Sequence, residues 1–153
     1  MSLSTIKQLI QNIASSKSGL DTLALRFGAG AIFFAHGAQK LFAWFGGYGL
    51  EGTGGWMESI GITPGVLMAT MAGSAEFFGG IFLMLGLLVR PTSIVLAITM
   101  LVAIFSVHIN NGLFMSNNGY EFALALLIIS ISLVFRGAGS LSLDKLVTKK
   151  LGA

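Results

Sequence analysis

The sequence predicts an all-α integral membrane protein, a bundle of four transmembrane helices. Hydrophobic residues make up 54% of the 153-residue chain and charged residues only 10%, whereas about 25% of the residues of a soluble domain are charged. The apolar residues are gathered in four runs, and a helix needs about 20 residues to cross the hydrocarbon core. The third and fourth runs are short, so we expect each to borrow a turn from its flanks, or the bilayer to be thinner around it. The runs cover residues 23–45, 66–89, 92–107 and 122–135.

The first 20 residues predict an amphipathic helix that lies at the membrane surface. Its apolar residues recur at helical spacing opposite polar side chains, at Leu3, Ile6, Leu9, Ile10 and Ile13. The segment lacks the compact apolar core and cleavage site of a signal peptide, so we do not expect its removal. A frayed N-terminus is the alternative. The predicted organisation is therefore this segment (1–20), a four-helix domain (21–139) and a basic tail (140–153).

The basic residues predict the orientation of the bundle. Eight of the nine Lys and Arg residues fall on the side of the predicted bundle that holds the N- and C-terminal segments. They are Lys7, Lys17, Arg26, Arg90, Arg136, Lys145, Lys149 and Lys150. Only Lys40 falls on the other side. Because basic residues are retained in cytoplasmic loops, we expect both termini in the cytoplasm and interpret the three arginines as topology anchors. No basic patch is interleaved with aromatic residues, so nucleic acid is not an expected partner.

The connections predict how the helices follow one another. The glycines of residues 46–65 have the spacing of a dinucleotide-binding fingerprint, but no strand precedes them, so we predict a flexible or re-entrant loop. Arg90-Pro91 predicts a tight turn between the second and third helices. Two Asn-Gly pairs in residues 108–121 predict a turn, and hence an antiparallel third and fourth helix.

Small residues predict which helices pack most closely. Gly and Ala four residues apart allow two backbones to approach each other in a membrane. Such pairs occur in the first and second runs, which we therefore expect to pack together. The pairs are Ala24 and Gly28, Ala69 and Gly73, and Ala75 and Gly79.

Polar side chains within the first two apolar runs are the strongest candidates for a ligand-binding site. His36 and Lys40 are four residues apart and share a helix face, with Gln39 beside them. Glu76 lies near the bilayer midplane, where a carboxylate costs about 2.5 to 3.5 kcal/mol. We therefore predict that it pairs with His36 or Lys40. Fixing of helix register by Glu76 and snorkelling of Lys40 to the headgroups are the alternatives.

Two further candidates lie at the outer ends of the third and fourth runs. His108 and Glu121 fall at the same level as the first group, so the sequence predicts a small amphipathic cavity in the outer half of the bundle. Glu121 alternatively stabilises a helix N-terminus. Two histidines permit haem ligation, and the His and Glu residues permit a metal, but no spacing favours either group. The absence of cysteine excludes disulfides and iron–sulfur clusters.

Four stretches, taken in order, resemble the DoxX family of small four-helix membrane proteins. They are RFGAGAIFFAHGAQKLF, AEFFGGIFLMLGLLVRP, ITMLVAIFSVH and RGAGSLSLD, and the resemblance covers residues 21–145. It implies a protein of the bacterial cytoplasmic membrane associated with quinone- or thiol-linked redox and detoxification, some relatives being small subunits of quinone-reducing assemblies. The matching polar positions are His36, Lys40 and Glu76, whereas relatives vary more at His108 and Glu121.

These observations predict a quinone- or quinol-binding accessory subunit or anchor of a membrane redox complex. A quinone site needs donors for the carbonyl oxygens, a group that moves protons and an apolar slot. His36 and Gln39 would be the donors and Glu76 the proton-handling group. Because no electron source is evident, we expect binding without turnover. A proton-coupled or small-molecule transporter and a scaffold that recruits soluble redox enzymes stay open, as does a homo-oligomer.

Overall fold

The computed structural model describes residues 3–14 and 19–151, and within them it contains seven α-helices and no strand. The all-α prediction is confirmed, and four of the helices correspond to the four apolar runs. Lys17, which the charge distribution includes, lies outside the described residues. The helices are α1 (Leu3–Ala14), α2 (Asp21–Phe42), α3 (Gly49–Ser59), α4 (Gly65–Leu85), α5 (Val89–Ala103), α6 (Glu121–Arg136) and α7 (Leu143–Lys150).

Among the residues that the structure describes, two helices are long and apolar enough to cross a membrane. The first is α4, with a mean hydropathy of 1.5 in its most apolar window. The second is Val89–Asn111, with a mean hydropathy of 2.2, in which a π-helical turn (Ile104–His108) and a 3₁₀ turn (Ile109–Asn111) continue α5. The extension of the third apolar run into its flanks is thus confirmed, whereas α6 extends the fourth run by only one residue at each end. The helix predicted at the N-terminus is also present, as α1.

Helices α2 and α4 pack backbone against backbone. A Cβ atom on Gly30 would lie 2.8 Å from the carbonyl oxygen of Gly80, and one on Gly37 would lie 2.6 Å from the Cα of Phe77. Because no side chain separates the two helices at these points, only glycine fits there. The predicted pairing of the first two apolar runs is confirmed.

The prediction of which small residues of α2 make this contact is wrong. Ala24 is exposed, and a Cβ on Gly28 would meet nothing within 4 Å. The contacting face lies about a half turn away, because the buried Ala29 and Phe33 orient α2 toward the core. On α4 the prediction holds for one of the two pairs: Ala69 and Gly73 are buried and a Cβ on Gly73 would meet Lys40 of α2, whereas a Cβ on Gly79 would meet Leu96 of α5.

Helix α3 corrects the prediction that residues 46–65 form a loop. Four of its eleven residues are glycine, which is a poor helix former. One of these glycines, Gly54, lets the helix lie directly on α4, because a Cβ there would be 2.8 Å from the Cα of Val66. In addition, the Glu58 carboxylate accepts a hydrogen bond of 3.0 Å from the backbone N–H of Gly65 at the start of α4.

The core lies between α2, α4, α5 and α6. Its largest fully buried apolar side chains, one from each helix, are Phe33, Leu83, Leu96 and Leu133. Helices α5 and α6 run antiparallel across the short connection that contains Asn118-Gly119, as the Asn-Gly pairs predict.

The end of the bundle that lies next to α1 and α7 is closed by buried charge. Arg26 is fully buried and donates hydrogen bonds to the carbonyl oxygens of Leu83, at 3.2 Å, and Leu141, at 2.5 Å. The structure thus adds a packing role to the predicted one as a topology anchor, because α4 ends there with carbonyl groups that need donors. Arg90 donates to the Val134 carbonyl, and Arg136 pairs with Asp21.

Candidate functional site

A cavity of about 430 Å³ opens between α2, α3, α4, α5 and α6, and most of the residues that line it are apolar. Its volume falls in the range typical of small-molecule sites, roughly 300 to 1,000 Å³. The aromatic walls include Phe33, Trp56 and Phe122. The polar and charged side chains in the lining are those of His36, Lys40, Glu76, Thr99, Ser106, His108 and Asn118.

An ion pair between α2 and α4 forms one wall of the cavity. Lys40 Nζ lies 2.5 Å from Glu76 Oε2, which confirms the predicted pairing of Glu76 and selects Lys40 over His36. The Glu76 side chain is 5% exposed and that of Lys40 is 24% exposed. The helices are close enough for this contact because Gly73 lies against Lys40, where a Cβ would be 3.1 Å from the Lys40 Cβ.

His36 lies one turn before Lys40 on α2 and lines the same cavity. Its ring packs against the ring of Phe122 on α6, with centroids 5.9 Å apart. An imidazole beside an aromatic ring and one turn from an ammonium group offers a polar contact within an apolar slot. The structure therefore brings three of the predicted polar residues of the first two apolar runs together.

His108 reaches the cavity through the irregular end of α5. The π-helical turn at Ile104–His108 widens the helix by one residue, and such turns are frequent at functional sites. His108 Nδ1 lies 2.8 Å from the backbone carbonyl oxygen of Asn118. The Asn111 side-chain amide donates to the same oxygen at 3.2 Å.

The other two predicted ligand residues do not line the cavity. The Gln39 side-chain amide donates to the carbonyl oxygen of Phe45 at 3.2 Å, and Gln39 also interacts with the neighbouring His36. Glu121 Oε1 accepts a hydrogen bond of 2.6 Å from the backbone N–H of Met115. Both side chains are thus engaged with the connections at this end of the bundle, and their role in ligand binding stays a prediction.

Sequence reasoning missed the cavity residues that come from irregular or unexpected segments. Trp56 and Met57 reach the cavity because α3 is a helix, and they lie in the segment for which a loop was predicted. Asn118 was recognised only as part of a turn, although its left-handed conformation, with φ of 60°, places its carbonyl oxygen beside His108. The available signal was the Asn-Gly pair, because Asn tolerates that conformation.

A metal centre has no geometric support in the part of the chain that the structure describes. Within residues 3–14 and 19–151, no three His, Asp or Glu side chains are grouped so that they could hold a metal ion. The cavity instead combines one ion pair, two imidazoles and apolar walls, which suits an organic molecule with a ring and polar substituents.

Comparisons with known proteins agree with the sequence motifs. A family model described as DoxX matches residues 22–109, which include six of the seven polar and charged cavity residues, all except Asn118. A Bacillus subtilis protein described as "Putative oxidoreductase CatD" is 36% identical over 130 residues, 85% of this chain and 89% of that protein. Two uncharacterized Haemophilus influenzae proteins are 31% and 33% identical, over 86% and 90% of their own lengths. No solved structure matches. The chain belongs to the DoxX family.

Proposed function

We propose that this protein is a membrane-embedded quinone- or quinol-binding accessory subunit of a redox complex. The observation that carries the proposal is the cavity, in which the Lys40–Glu76 pair and His36 lie among aromatic and aliphatic walls. Ionisable groups inside a membrane are costly, and they usually serve ligands, ions or protons. The family and the description of the Bacillus subtilis relative as an oxidoreductase support the redox association.

The proposed setting is the bacterial cytoplasmic membrane, with α2, α4, α5 and α6 as four spans and both termini in the cytoplasm. Each of these helices exposes large apolar side chains on the outside of the bundle, such as Phe27, Met71, Ile98 and Ile128, all more than half exposed. Lipid covers such surfaces without cost, whereas water does not. Exposed Leu3 and Leu9 on α1 suit a helix that lies at the membrane surface.

The cavity residues match the chemistry of a quinone head group. The Lys40 ammonium group has two N–H groups beyond the one that contacts Glu76, and these can donate to a carbonyl oxygen. Glu76 is the group that can take or give the proton that accompanies reduction. The rings of Phe33 and Phe122 form an apolar slot for the quinone ring and tail.

Accessory binding is favoured over independent turnover because the chain has no cysteine for a thiol or iron–sulfur relay. In this proposal the protein holds the quinone or quinol near a membrane or soluble redox enzyme that supplies or accepts the electrons. The Lys40–Glu76 pair has a purely structural alternative, the fixing of α2 against α4. A substitution of Glu76 distinguishes the two roles, because it abolishes quinone binding in the first case and only weakens helix packing in the second.

Native mass spectrometry of the gently extracted protein tests the proposal. We would compare the wild type with Glu76→Gln and His36→Ala, extract and identify bound small molecules, and measure thermal stabilisation by a benzoquinone with a decyl tail. Glu51→Gln is the matched control, since Glu51 is exposed on α3 and absent from the cavity lining.

The expected result is a quinone bound to the wild type and to Glu51→Gln, and lost from the two cavity variants. A wild type that carries no quinone and is not stabilised by the decyl quinone would overturn the proposal. Glu76→Gln with lower stability but undiminished quinone binding would assign the ion pair to helix packing instead.

A further inference from the structure

The two ring nitrogens of His108 are in different environments, and this difference indicates which hydrogen-bonding group the cavity's ligand presents to the ring. Nδ1 lies 2.8 Å from the backbone carbonyl oxygen of Asn118. A carbonyl oxygen only accepts hydrogen bonds, so Nδ1 must carry the proton of this contact. In a neutral imidazole the other nitrogen, Nε2, then has a free lone pair and is an acceptor.

The connection between α5 and α6 holds this arrangement in place. Asn118 adopts a left-handed backbone conformation that directs its carbonyl oxygen to His108, and the Asn111 amide donates to the same oxygen. The π-helical turn that ends at His108 sets the position of its ring on α5. Among residues 3–14 and 19–151, no hydrogen-bond partner occupies Nε2, and His108 is part of the cavity lining.

We infer that His108 is a hydrogen-bond acceptor for the cavity's ligand, and that the site therefore favours an aromatic hydroxyl, as in a hydroquinone, over a quinone carbonyl. This inference rests on the proposed function. A hydroquinone hydroxyl can donate to Nε2, whereas a quinone carbonyl presents only lone pairs there. At Lys40 the ammonium group can donate to the oxygen of either form, so that end of the cavity discriminates less. The protein would thus hold the reduced form of its ligand.

Binding of one redox pair tests the inference. The probes are the decyl-tailed benzoquinone and the hydroquinone formed from it by addition of two electrons and two protons, kept reduced by excess dithionite without oxygen. Dissociation constants are measured at pH 8, where free imidazole is neutral. A single hydrogen bond to the hydroxyl predicts that the hydroquinone binds up to about tenfold more tightly than the quinone.

Two variants connect that preference to His108. His108→Phe keeps a ring of similar size but removes the acceptor, so the ratio of the two dissociation constants should fall toward one. Ser116→Ala lies at an exposed position of the same connection and outside the cavity lining, so the ratio should stay as in the wild type. A ratio unchanged by His108→Phe, or a quinone that binds the wild type at least as tightly as the hydroquinone, would overturn the inference alone. Binding of neither form would overturn the proposed function as well.

The tautomer has a readout that is independent of ligand binding. The chain has two histidines, so ¹⁵N-histidine labelling gives two ring systems, which a His36→Gln variant assigns. We expect the His108 spectrum to show a protonated Nδ1 and an unprotonated Nε2 at pH 8. A proton on Nε2 instead would remove the basis of the inference even if the variants failed to fold.

Discussion

Asp144 illustrates, at the scale of single residues, how buried charge holds the terminal end of the bundle together. Its carboxylate accepts hydrogen bonds from the backbone N–H groups of Leu88, at 2.8 Å, and Val89, at 3.0 Å. These groups at the start of α5 have no partner within the helix. Asp144 is 2% exposed and belongs to α7, so the basic C-terminal segment is built into the bundle and not only appended to it.

The pH dependence of stability should reveal this buried carboxylate. Burial raises the pKa of Asp144 above its ordinary value of 3.8, although the Val89 and Leu88 N–H groups and the Arg26 and Arg90 charges act in the opposite direction. The folded protein then binds this proton more tightly than the unfolded chain, so the contribution of Asp144 to stability falls as the pH rises from 3.8 through the raised pKa. Asp144→Asn keeps one acceptor oxygen and removes this titration.

We therefore expect the melting temperature of the wild type, relative to that of Asp144→Asn, to increase as the pH is lowered from 7 to 4. Thermal unfolding of both proteins in the same detergent measures this difference in melting temperature. The contributions of the titrating groups that the two proteins share cancel in the difference. A difference that is constant, or that decreases toward acid, contradicts the prediction.

At the scale of secondary-structure elements, the site depends on one close helix crossing and one irregular helix end. The α2–α4 crossing brings Lys40 within hydrogen-bonding distance of Glu76, because glycines at the contact leave no side chain between the two backbones. The π-helical turn at the end of α5 brings His108 to the same cavity. The periodicity of the apolar residues predicts the existence of both helices, but neither the face that α2 presents nor the extra residue in α5.

Alanine substitutions at two glycines of α2 test the crossing. A Cβ on Gly37 would lie 2.6 Å from the Phe77 Cα, whereas one on Gly28 would meet nothing within 4 Å. We expect Gly37→Ala to lower the free energy of unfolding by about 1 to 3 kcal/mol or more, because one of the two helix backbones must move. Gly28→Ala is the matched control. We expect it to leave the free energy of unfolding unchanged or to raise it by up to about 1 kcal/mol, because alanine favours the helix more than glycine does. Reversible unfolding in mixed micelles measures both, and equal effects would refute the crossing.

At the scale of the whole molecule, the charge distribution and the fold together predict an orientation. Lys149 and its basic neighbours lie at the end of the bundle that Arg26 and Asp144 close, whereas Ser116 lies in the connection at the opposite end, beside the cavity. Because basic residues are retained in the cytoplasm, we predict that the cavity end faces outward. A ligand would reach the cavity from the outer half of the membrane.

Single-cysteine labelling tests this orientation with little background, because the natural chain has no cysteine. Both Ser116 and Lys149 are exposed, so Ser116→Cys and Lys149→Cys should tolerate a small label. In intact spheroplasts we expect a membrane-impermeant maleimide to label Ser116→Cys, and to label Lys149→Cys only after lysis. The unsubstituted protein is the control for nonspecific reaction. The opposite pattern would invert the proposed topology.

The sequence by itself determined the all-α class, the positions of the long helices, the family, and the shared face of His36 and Lys40, since each follows from composition, motifs or i, i+4 spacing within one helix. Only the tertiary structure decided that Lys40 pairs with Glu76, that residues 49–59 form a helix, and that His108 reaches the cavity while Gln39 and Glu121 do not. The physical reason is that helix rotation and the width of a helical turn are set by contacts between helices, which spacing along one helix does not encode.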